Sequence, residues 1–106
     1  DRKKDMIKTG GENVPTREVE DAIYLDKRVQ EVAVIGLPDP KWVELVTAIV
    51  VLKPGEKMTE EELIAHCRKE LATFKCPKKA FFVDALPKTP TGKILKREMR
   101  VTFKNS

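Results

Sequence analysis

The feature of this sequence that most constrains its fold is a near-continuous apolar run, Val46-Thr47-Ala48-Ile49-Val50-Val51-Leu52. The run has the length of a β-strand, and its lack of polar alternation predicts that both faces are buried. A helix needs ~20 apolar residues to span a bilayer. The 106-residue chain contains no such run, so no transmembrane segment is predicted. A chain of this length suffices for one domain with one modest core.

Local patterns predict further elements on both sides of this strand. The first half of the chain predicts a hairpin over residues 4–14, a helix from Pro15 to near Leu25, a strand over Val32–Leu37 and the strand Val46–Leu52. The second half predicts a helix from a Thr59/Glu62 capping box to about Ala72, a basic loop over Lys75–Lys79 and a strand over Phe81–Val83. A last helix, which Thr91 would cap, carries Ile94, Leu95 and Met99 inward. This order predicts an α+β fold, in which a small mainly antiparallel or mixed sheet and the N-terminal hairpin pack against about three helices. Such a fold does not by itself indicate a function.

The composition argues against several classes of function. The chain has 21 Lys plus Arg, 17 Asp plus Glu and 6% aromatic residues. Nucleic acid is not a predicted partner, because single-strand sites need aromatic platforms beside a basic groove; a small polyanion such as CoA or ATP suits the net charge of +4 equally well. No metal site is predicted, because His66, Cys67 and Cys76 do not form a metal-binding pattern.

The cysteines and the N-terminus predict a cellular location. Cys67 falls on the apolar side of its predicted helix, which is typical of a buried free thiol. The sequence contains no recognisable signal peptide. We therefore expect a cytoplasmic protein, with peripheral membrane association left open.

Two motifs near the ends of the chain indicate a function. One is the loop Pro87-Lys88-Thr89-Pro90-Thr91-Gly92-Lys93, and the other is the segment Asp1–Val14, which reads DRKKDMIKTGGENV. Together they resemble the small C-terminal domain of the acyl-adenylate-forming enzymes, the superfamily of acyl-CoA synthetases and luciferases. The resemblance runs from residue 1 to about Val101. It implies that residues 1–106 are a single mobile C-terminal domain, and that a large N-terminal domain, absent from this sequence, binds ATP and the acyl substrate.

The resemblance assigns Lys93 to adenylation, in which a carboxylate attacks ATP. In the family this lysine enters the active site of the large domain and contacts the substrate carboxylate and the α-phosphate. Its ammonium offsets the repulsion between two anions as the reacting centre forms. Gly92 would let the loop approach closely, and Pro87 and Pro90 would stiffen it. In isolation a Gly-Lys pair at a helix start indicates no more than a solvated charge.

The first residues are assigned by resemblance to domain movement. Residues 1–5 correspond to the hinge segment of the family, and Lys4 occupies the hinge position itself. Arg2 resembles an arginine that lies near the nucleotide ribose. The alternative is an ordinary basic run at the surface.

The predicted hairpin is assigned by resemblance to the second half-reaction, in which the CoA thiol attacks the adenylate. Gly10 and Gly11 would line the pantetheine tunnel with bare backbone, although glycines also suit a tight turn. Lys8 matches a lysine that assists this half-reaction in some relatives. Asn13 matches a polar residue that can meet the AMP phosphate.

The basic loop resembles a further segment of the family, Tyr/Phe-Lys-x-Pro-Lys. By this resemblance Lys75, Lys78 and Lys79 would hold the phosphates of CoA. A solvated charged loop is the alternative. The sequence departs from the family at two places: Val43 follows Trp42 where many relatives have glycine, and Cys76 replaces a more usual aliphatic residue.

These assignments predict the C-terminal domain of an acid–thiol ligase. The full enzyme would convert a fatty or medium-chain acid and ATP to acyl-AMP, and then, with CoA, to acyl-CoA and AMP. Mg²⁺ would accompany ATP and be bound mainly by the absent domain. The chain has no Ser/Thr/Gly-rich phosphate loop, so we predict no activity for it in isolation. The alternatives are a domain that loads a carrier-protein thiol, a luciferase-like relative, and a stand-alone basic binding module.

Overall fold

A computed structural model describes residues 6–104, which form five strands, three α-helices and one 3₁₀ turn. In chain order the elements are β1 (Met6–Thr9), β2 (Glu12–Pro15), α1 (Thr16–Tyr24), β3 (Val29–Asp39), β4 (Val43–Leu52), α2 (Glu60–Glu70), the 3₁₀ turn (Thr73–Lys75), β5 (Lys79–Phe82) and α3 (Lys96–Thr102). Three strand pairs are antiparallel, and the β4–β5 pair is parallel. The predicted α+β class is therefore confirmed. None of the helices in this range is long and apolar enough to cross a membrane.

The central strand is β4, and different layers cover its two faces. One buried cluster contains Val46, Ala48 and Val50 together with apolar residues of α1 and α2. A second cluster contains Ile49 and Val51 together with apolar residues of α3. The predicted burial of this strand on both faces is confirmed.

The neighbours of β4 bring two loops together. β3 occupies one edge of β4 along its whole length. β1 meets the other edge at a single register pair, Thr9↔Val43, and β5 pairs further along that edge, from Thr47 to Val50. The hairpin and the loop that leads into β5 therefore lie beside each other.

Three strands differ from their predicted bounds. β4 begins at Val43 instead of Val46. β3 extends beyond its predicted end at Leu37, and Pro38 within it is paired with Glu44. Proline is tolerated there because β3 is an edge strand of the described sheet. β5 begins at Lys79 instead of Phe81, since its pairing with β4 starts two residues earlier than the aromatic pattern indicates.

The predicted start of the last helix is wrong. α3 begins at Lys96, and Thr91 does not cap it, because the Thr91 hydroxyl instead hydrogen-bonds the hydroxyl of Thr89 at 2.9 Å. Ile94, expected in the helix, pairs with Lys88 in an isolated β-bridge. The residues between them form a closed loop with hydrogen bonds from Gly92 and Lys93 to Thr89. By contrast, the Thr59/Glu62 capping box of α2 is confirmed in both of its hydrogen bonds.

Candidate functional site

The turn of the β1–β2 hairpin consists of Gly10 and Gly11, with φ of 55° and 85°. The two glycines are required for different reasons. A Cβ on Gly10 would lie 2.8 Å from the indole ring of Trp42, whose carbonyl also accepts a hydrogen bond from the Gly10 N–H at 2.9 Å. A Cβ on Gly11 would meet no atom within 4 Å. Gly10 is fixed by packing inside the domain, whereas the bare backbone of Gly11 faces open space.

Lys8 and Asn13 lie opposite each other on the hairpin, next to the glycine turn. Both residues are exposed. The Lys8 N–H donates to Oε1 of Glu44 in β4 at 2.8 Å. The structure therefore brings four predicted site residues together and adds a carboxylate that contacts their backbone.

Trp42 connects the hairpin to the basic loop that precedes β5. The Lys78 N–H donates to the carbonyl of Val46 at 2.8 Å, and the Lys78 ammonium lies 4.5 Å from the centre of the indole. The Lys41 ammonium lies 5.4 Å from the same ring. Both distances are within the range of cation–π contacts. We call this group the hairpin site; it consists of Lys8, Gly10, Gly11, Asn13, Trp42 and Lys78.

The other two predicted phosphate-binding lysines are placed differently. The Lys75 ammonium is paired with the Glu18 carboxylate of α1 at 2.9 Å and lies 5.6 Å from the centre of the Phe74 ring. Lys79 lies within β5, opposite Thr47. The Lys78 ammonium therefore contacts Trp42, whereas the Lys75 ammonium contacts Glu18 and Phe74.

The sequence does not predict Trp42 and Glu44 as site residues. The single tryptophan of the chain, which follows Lys41 in a turn, is a signal that could have identified Trp42. Glu44 has no comparable signal, because its contact with Lys8 joins residues that are 36 positions apart.

The backbone of Lys93 is held inside a closed loop. The Thr89 N–H donates to the Lys93 carbonyl at 2.8 Å, and the Thr89 hydroxyl accepts from the Lys93 N–H at 3.1 Å. Gly92, with φ of 91°, donates its N–H to the Thr89 carbonyl at 2.9 Å. The Lys93 side chain is exposed. The loop therefore presents an ammonium from a backbone that is fixed in position.

Two ion pairs tie this loop to the rest of the domain. Lys88 pairs with Glu31 of β3. Lys96, at the start of α3, pairs with Glu20 of α1 at 3.0 Å, and Glu20 also accepts from the Val34 N–H at 2.8 Å. The Lys96 and Glu20 side chains are only 16% and 14% exposed, so this pair is well shielded from solvent.

The Lys93 loop (residues 88–94) and the hairpin site are attached at different positions along the β3–β4 ladder. The hairpin meets β4 at Val43, whereas Glu31, the partner of Lys88, is opposite Val51. Eight residues of strand correspond to roughly 26 Å. The second attachment, through Glu20 to Val34, is opposite Ala48, five strand residues or roughly 17 Å from Val43. The structure therefore does not gather Lys93 into the same site as Lys8 and Gly11. The remaining predicted residues, Arg2 and Lys4, lie outside the described range.

The two cysteines are buried and free, which confirms the prediction for Cys67. Burial, with a smaller effect of Cys76, raises the pKa of the Cys67 thiol to about 12. Burial also raises the pKa of Cys76. Neither thiol is a nucleophile near neutral pH. Within residues 6–104, no group of three or more His, Cys, Asp or Glu side chains could hold a metal ion.

Comparison with known proteins gives concordant matches. Residues 18–93 match the family described as the AMP-binding enzyme C-terminal domain. The chain is 51% identical over 103 residues to the long-chain-fatty-acid–CoA ligase FadD13 of Mycobacterium tuberculosis, covering 97% of this chain and 20% of that protein. It is 47% identical over 103 residues to the peroxisomal butyrate–CoA ligase AAE11 of Arabidopsis thaliana, covering 94% and 18%. The crystal structure of apo MatB from Rhodopseudomonas palustris matches with a TM-score of 0.94 at 42% identity, over 98% of this chain and 21% of that one.

The chain therefore spans about a fifth of the length of the curated relatives it matches. It belongs to the family of AMP-binding enzyme C-terminal domains.

Proposed function

We propose that this chain is the C-terminal domain of a longer ATP-dependent acyl-CoA ligase. In that reaction a carboxylate attacks ATP to give acyl-adenylate and pyrophosphate, and the CoA thiol then displaces AMP to give acyl-CoA. The observation that carries the proposal is the separate anchoring of two lysine-bearing elements, the Lys93 loop and the hairpin site, on one sheet. The names of the two curated relatives, both CoA ligases, support the same class of reaction.

Lys93 serves the adenylation step in this proposal. Its backbone is fixed by Thr89 while its ammonium is exposed. An ammonium delivered in this way can lie between a carboxylate and the α-phosphate that it attacks. There it lowers the repulsion between the two anions in the transition state.

The hairpin site serves the thiol-transfer step. The open space beside Gly11 leaves room for a narrow chain such as pantetheine to pass along the backbone. Trp42 offers a flat apolar ring and Lys78 a neighbouring cation, a combination that suits a purine ring and its phosphates. Lys8 and Asn13, on the strands that flank the turn, are available to the AMP phosphate.

The remainder of the enzyme would bind the triphosphate, its Mg²⁺ and the acyl group. Within residues 6–104 there is no cluster of metal-binding side chains, so the ligands of Mg²⁺ are expected outside this range. We retain as predictions that Lys4 is the hinge residue and that Arg2 lies near the nucleotide ribose. We propose a fatty or medium-chain acid as the substrate class. The relative named for long-chain fatty acids, at 51% identity, supports it, while relatives named for butyrate and for ferulate match at 47% and 48%.

The test separates the two half-reactions in the full-length enzyme. Lys93→Ala should lower ATP–pyrophosphate exchange by about 10²–10³-fold, while CoA transfer from preformed acyl-adenylate stays near the wild-type rate. Lys69→Ala, which removes an exposed lysine of α2, is the matched control and should leave both rates unchanged. Exchange that survives in the Lys93 variant would remove the chemical basis of the proposal. The 106-residue chain alone should form no acyl-adenylate.

The acceptor of the acyl group is the point on which the alternatives differ. If the wild-type enzyme exchanges pyrophosphate but transfers the acyl group to a carrier-protein thiol and not to CoA, the carrier-loading alternative replaces the ligase. If the enzyme consumes oxygen instead, the luciferase-like alternative replaces the ligase. Absence of any exchange with a panel of carboxylic acids would favour a binding module.

A further inference from the structure

The β1–β2 hairpin is attached to the central strand over a short distance. β1 pairs with β4 at Thr9↔Val43, and the Gly10 N–H donates to the carbonyl of Trp42 at 2.9 Å. In an antiparallel ladder the next β1 amide that points toward β4, that of Lys8, would donate to a main-chain carbonyl of β4. Here it donates instead to the side-chain carboxylate of Glu44, at 2.8 Å. Glu44 thus extends the attachment of the hairpin by one hydrogen bond beyond the strand pairing.

Gly36 provides the space that this carboxylate occupies. A Cβ on Gly36 would lie 3.0 Å from Cδ and 3.1 Å from Oε2 of Glu44, and 3.1 Å from Cγ2 of Ile7. Such distances are too short for an ordinary contact, so the absence of a side chain lets Glu44 and Ile7 approach β3. Glu44 therefore lies between a glycine of β3 and the backbone of Lys8 in β1.

We propose that Glu44 is a positioning residue for the thiol-transfer step, which holds Lys8 and Gly11 at a fixed place relative to the sheet. The inference rests on the proposed function of the hairpin site. A carboxylate that accepts from a backbone N–H forms a charge-assisted hydrogen bond, which is shorter and stronger than one between neutral groups. Its position next to the glycine turn gives it control over the orientation of the hairpin tip, and a displacement of 1 Å at a reacting centre can cost about 10²-fold in rate.

The experiment compares Glu44→Ala, Glu44→Gln and Gly36→Ala in the full-length enzyme. Glu44→Ala should lower CoA transfer from preformed acyl-adenylate by at least about tenfold, and ATP–pyrophosphate exchange should stay within twofold of wild type because the Lys93 loop is attached elsewhere. Glu44→Gln should recover most of the transfer rate, since its amide oxygen can still accept the Lys8 N–H. Gly36→Ala should reproduce the Glu44→Ala defect by pushing the carboxylate away from Lys8.

A matched control removes a carboxylate from the same hairpin. Glu12 is exposed and lies opposite Thr9 on β2, so Glu12→Ala changes the charge by the same amount without touching the Lys8 amide. This variant should transfer the acyl group to CoA at the wild-type rate. A defect equal to that of Glu44→Ala would attribute the effect to charge and overturn the proposal.

Other outcomes also decide the question. Equal losses in both half-reactions of Glu44→Ala would indicate a general structural role, and a Glu44→Gln variant as impaired as the alanine variant would exclude the hydrogen bond as the cause. Each contradicts the positioning role while leaving the ligase function intact. If the wild-type enzyme makes acyl-adenylate but never transfers it to CoA, the proposed function itself fails, and the inference fails with it.

Discussion

Val43 has a backbone conformation that is unfavourable for its side chain. Among residues 6–104 it is the one non-glycine residue with a positive φ, at 71°. The left-handed region costs an L-residue about 1–2 kcal/mol, and a β-branched residue belongs at the upper end of that range. A positive φ favours glycine, which is the residue that the resemblance described above implies at this position.

Val43→Gly is therefore expected to stabilise the domain. Glycine relieves about 2 kcal/mol of strain. Glycine also has more backbone conformational entropy in the unfolded chain, which lowers the stability of the folded state by about 0.5–1 kcal/mol. The valine side chain is 67% exposed, so about a third of its full burial energy of about 1.5 kcal/mol, or about 0.5 kcal/mol, is lost. The net gain is about 0.5–1 kcal/mol, which corresponds to about 2–6 °C in Tm for a domain of this size.

Urea and thermal unfolding of the 106-residue chain measure this gain. Val43→Ala is the matched control, because it shortens the side chain but keeps the Cβ that makes a positive φ unfavourable. We expect its stability to lie close to that of wild type, clearly below the glycine variant. A glycine variant that is less stable than wild type, or an alanine variant that is equally stabilised, would refute the assignment of strain to this residue.

Three other predictions follow from the described contacts. Gly10→Ala should lower the free energy of unfolding by at least about 2 kcal/mol, because the new methyl group collides with the indole ring and the backbone is strained. Gly11→Ala should lower it by about 1 kcal/mol, because only the backbone strain applies. Equal losses of stability in urea unfolding would contradict this difference. The side-chain hydrogen bond from Arg28 lowers the pKa of Asp26 in the folded protein. The ionised Asp26 therefore stabilises the fold fully at a pH above its unfolded-state pKa of about 3.9, and this stabilisation disappears as the pH falls through the lower folded-state pKa. Asp26→Asn should therefore be less stable than wild type at pH 7 and approach it in acid, and a pH-independent difference would argue against the ion pair. Cys67 should resist a thiol reagent at pH 8 until urea unfolds the chain, because burial keeps its thiol protonated; rapid labelling of the folded protein would count against this.

Parts of the fold could be predicted because the responsible interactions are local. The two-sided burial of β4 follows from its own composition, and the capping box at Thr59 and Glu62 involves residues three positions apart. The glycine turn of the hairpin is similarly local. Each of these features is determined within one element, so the sequence pattern alone identifies it.

The parts that were mispredicted depend on backbone pairings that residue preferences do not indicate. Thr91 looks like a helix cap, but pairing between Lys88 and Ile94 closes a loop that places the helix start at Lys96. Pro38 looks like a strand end, but it continues β3 because that strand lies at an edge. The first outcome depends on a backbone bridge within one loop, and the second cannot be inferred without knowing which strands are neighbours.

The candidate site also contains residues that local motifs identify and residues that only long-range contacts reveal. The motifs identify Lys93, Lys8 and the two glycines, because these residues belong to short segments with characteristic spacing. They do not reveal that Gly10 is required by Trp42, or that Glu44 contacts the Lys8 amide, since these contacts join β1 to β4 across more than 30 residues. Long-range side-chain contacts with the backbone have no periodic pattern in the sequence.

The common attachment of both functional elements to the β3–β4 ladder gives a way to separate scaffold from site. The ladder lies between two buried clusters, so a cavity made in β4, for example by Val50→Ala, should disturb both ends of the ladder. Such a variant of the full enzyme should lose adenylation and thiol transfer together. Substitutions at Lys93 and at Glu44 should instead affect one half-reaction each, because the loop and the hairpin are attached at different positions along the ladder. We therefore expect substitutions at Lys93 or Glu44 to impair one half-reaction each, and a substitution in the centre of β4 to impair both. This is the pattern expected if one rigid domain presents two chemically distinct surfaces.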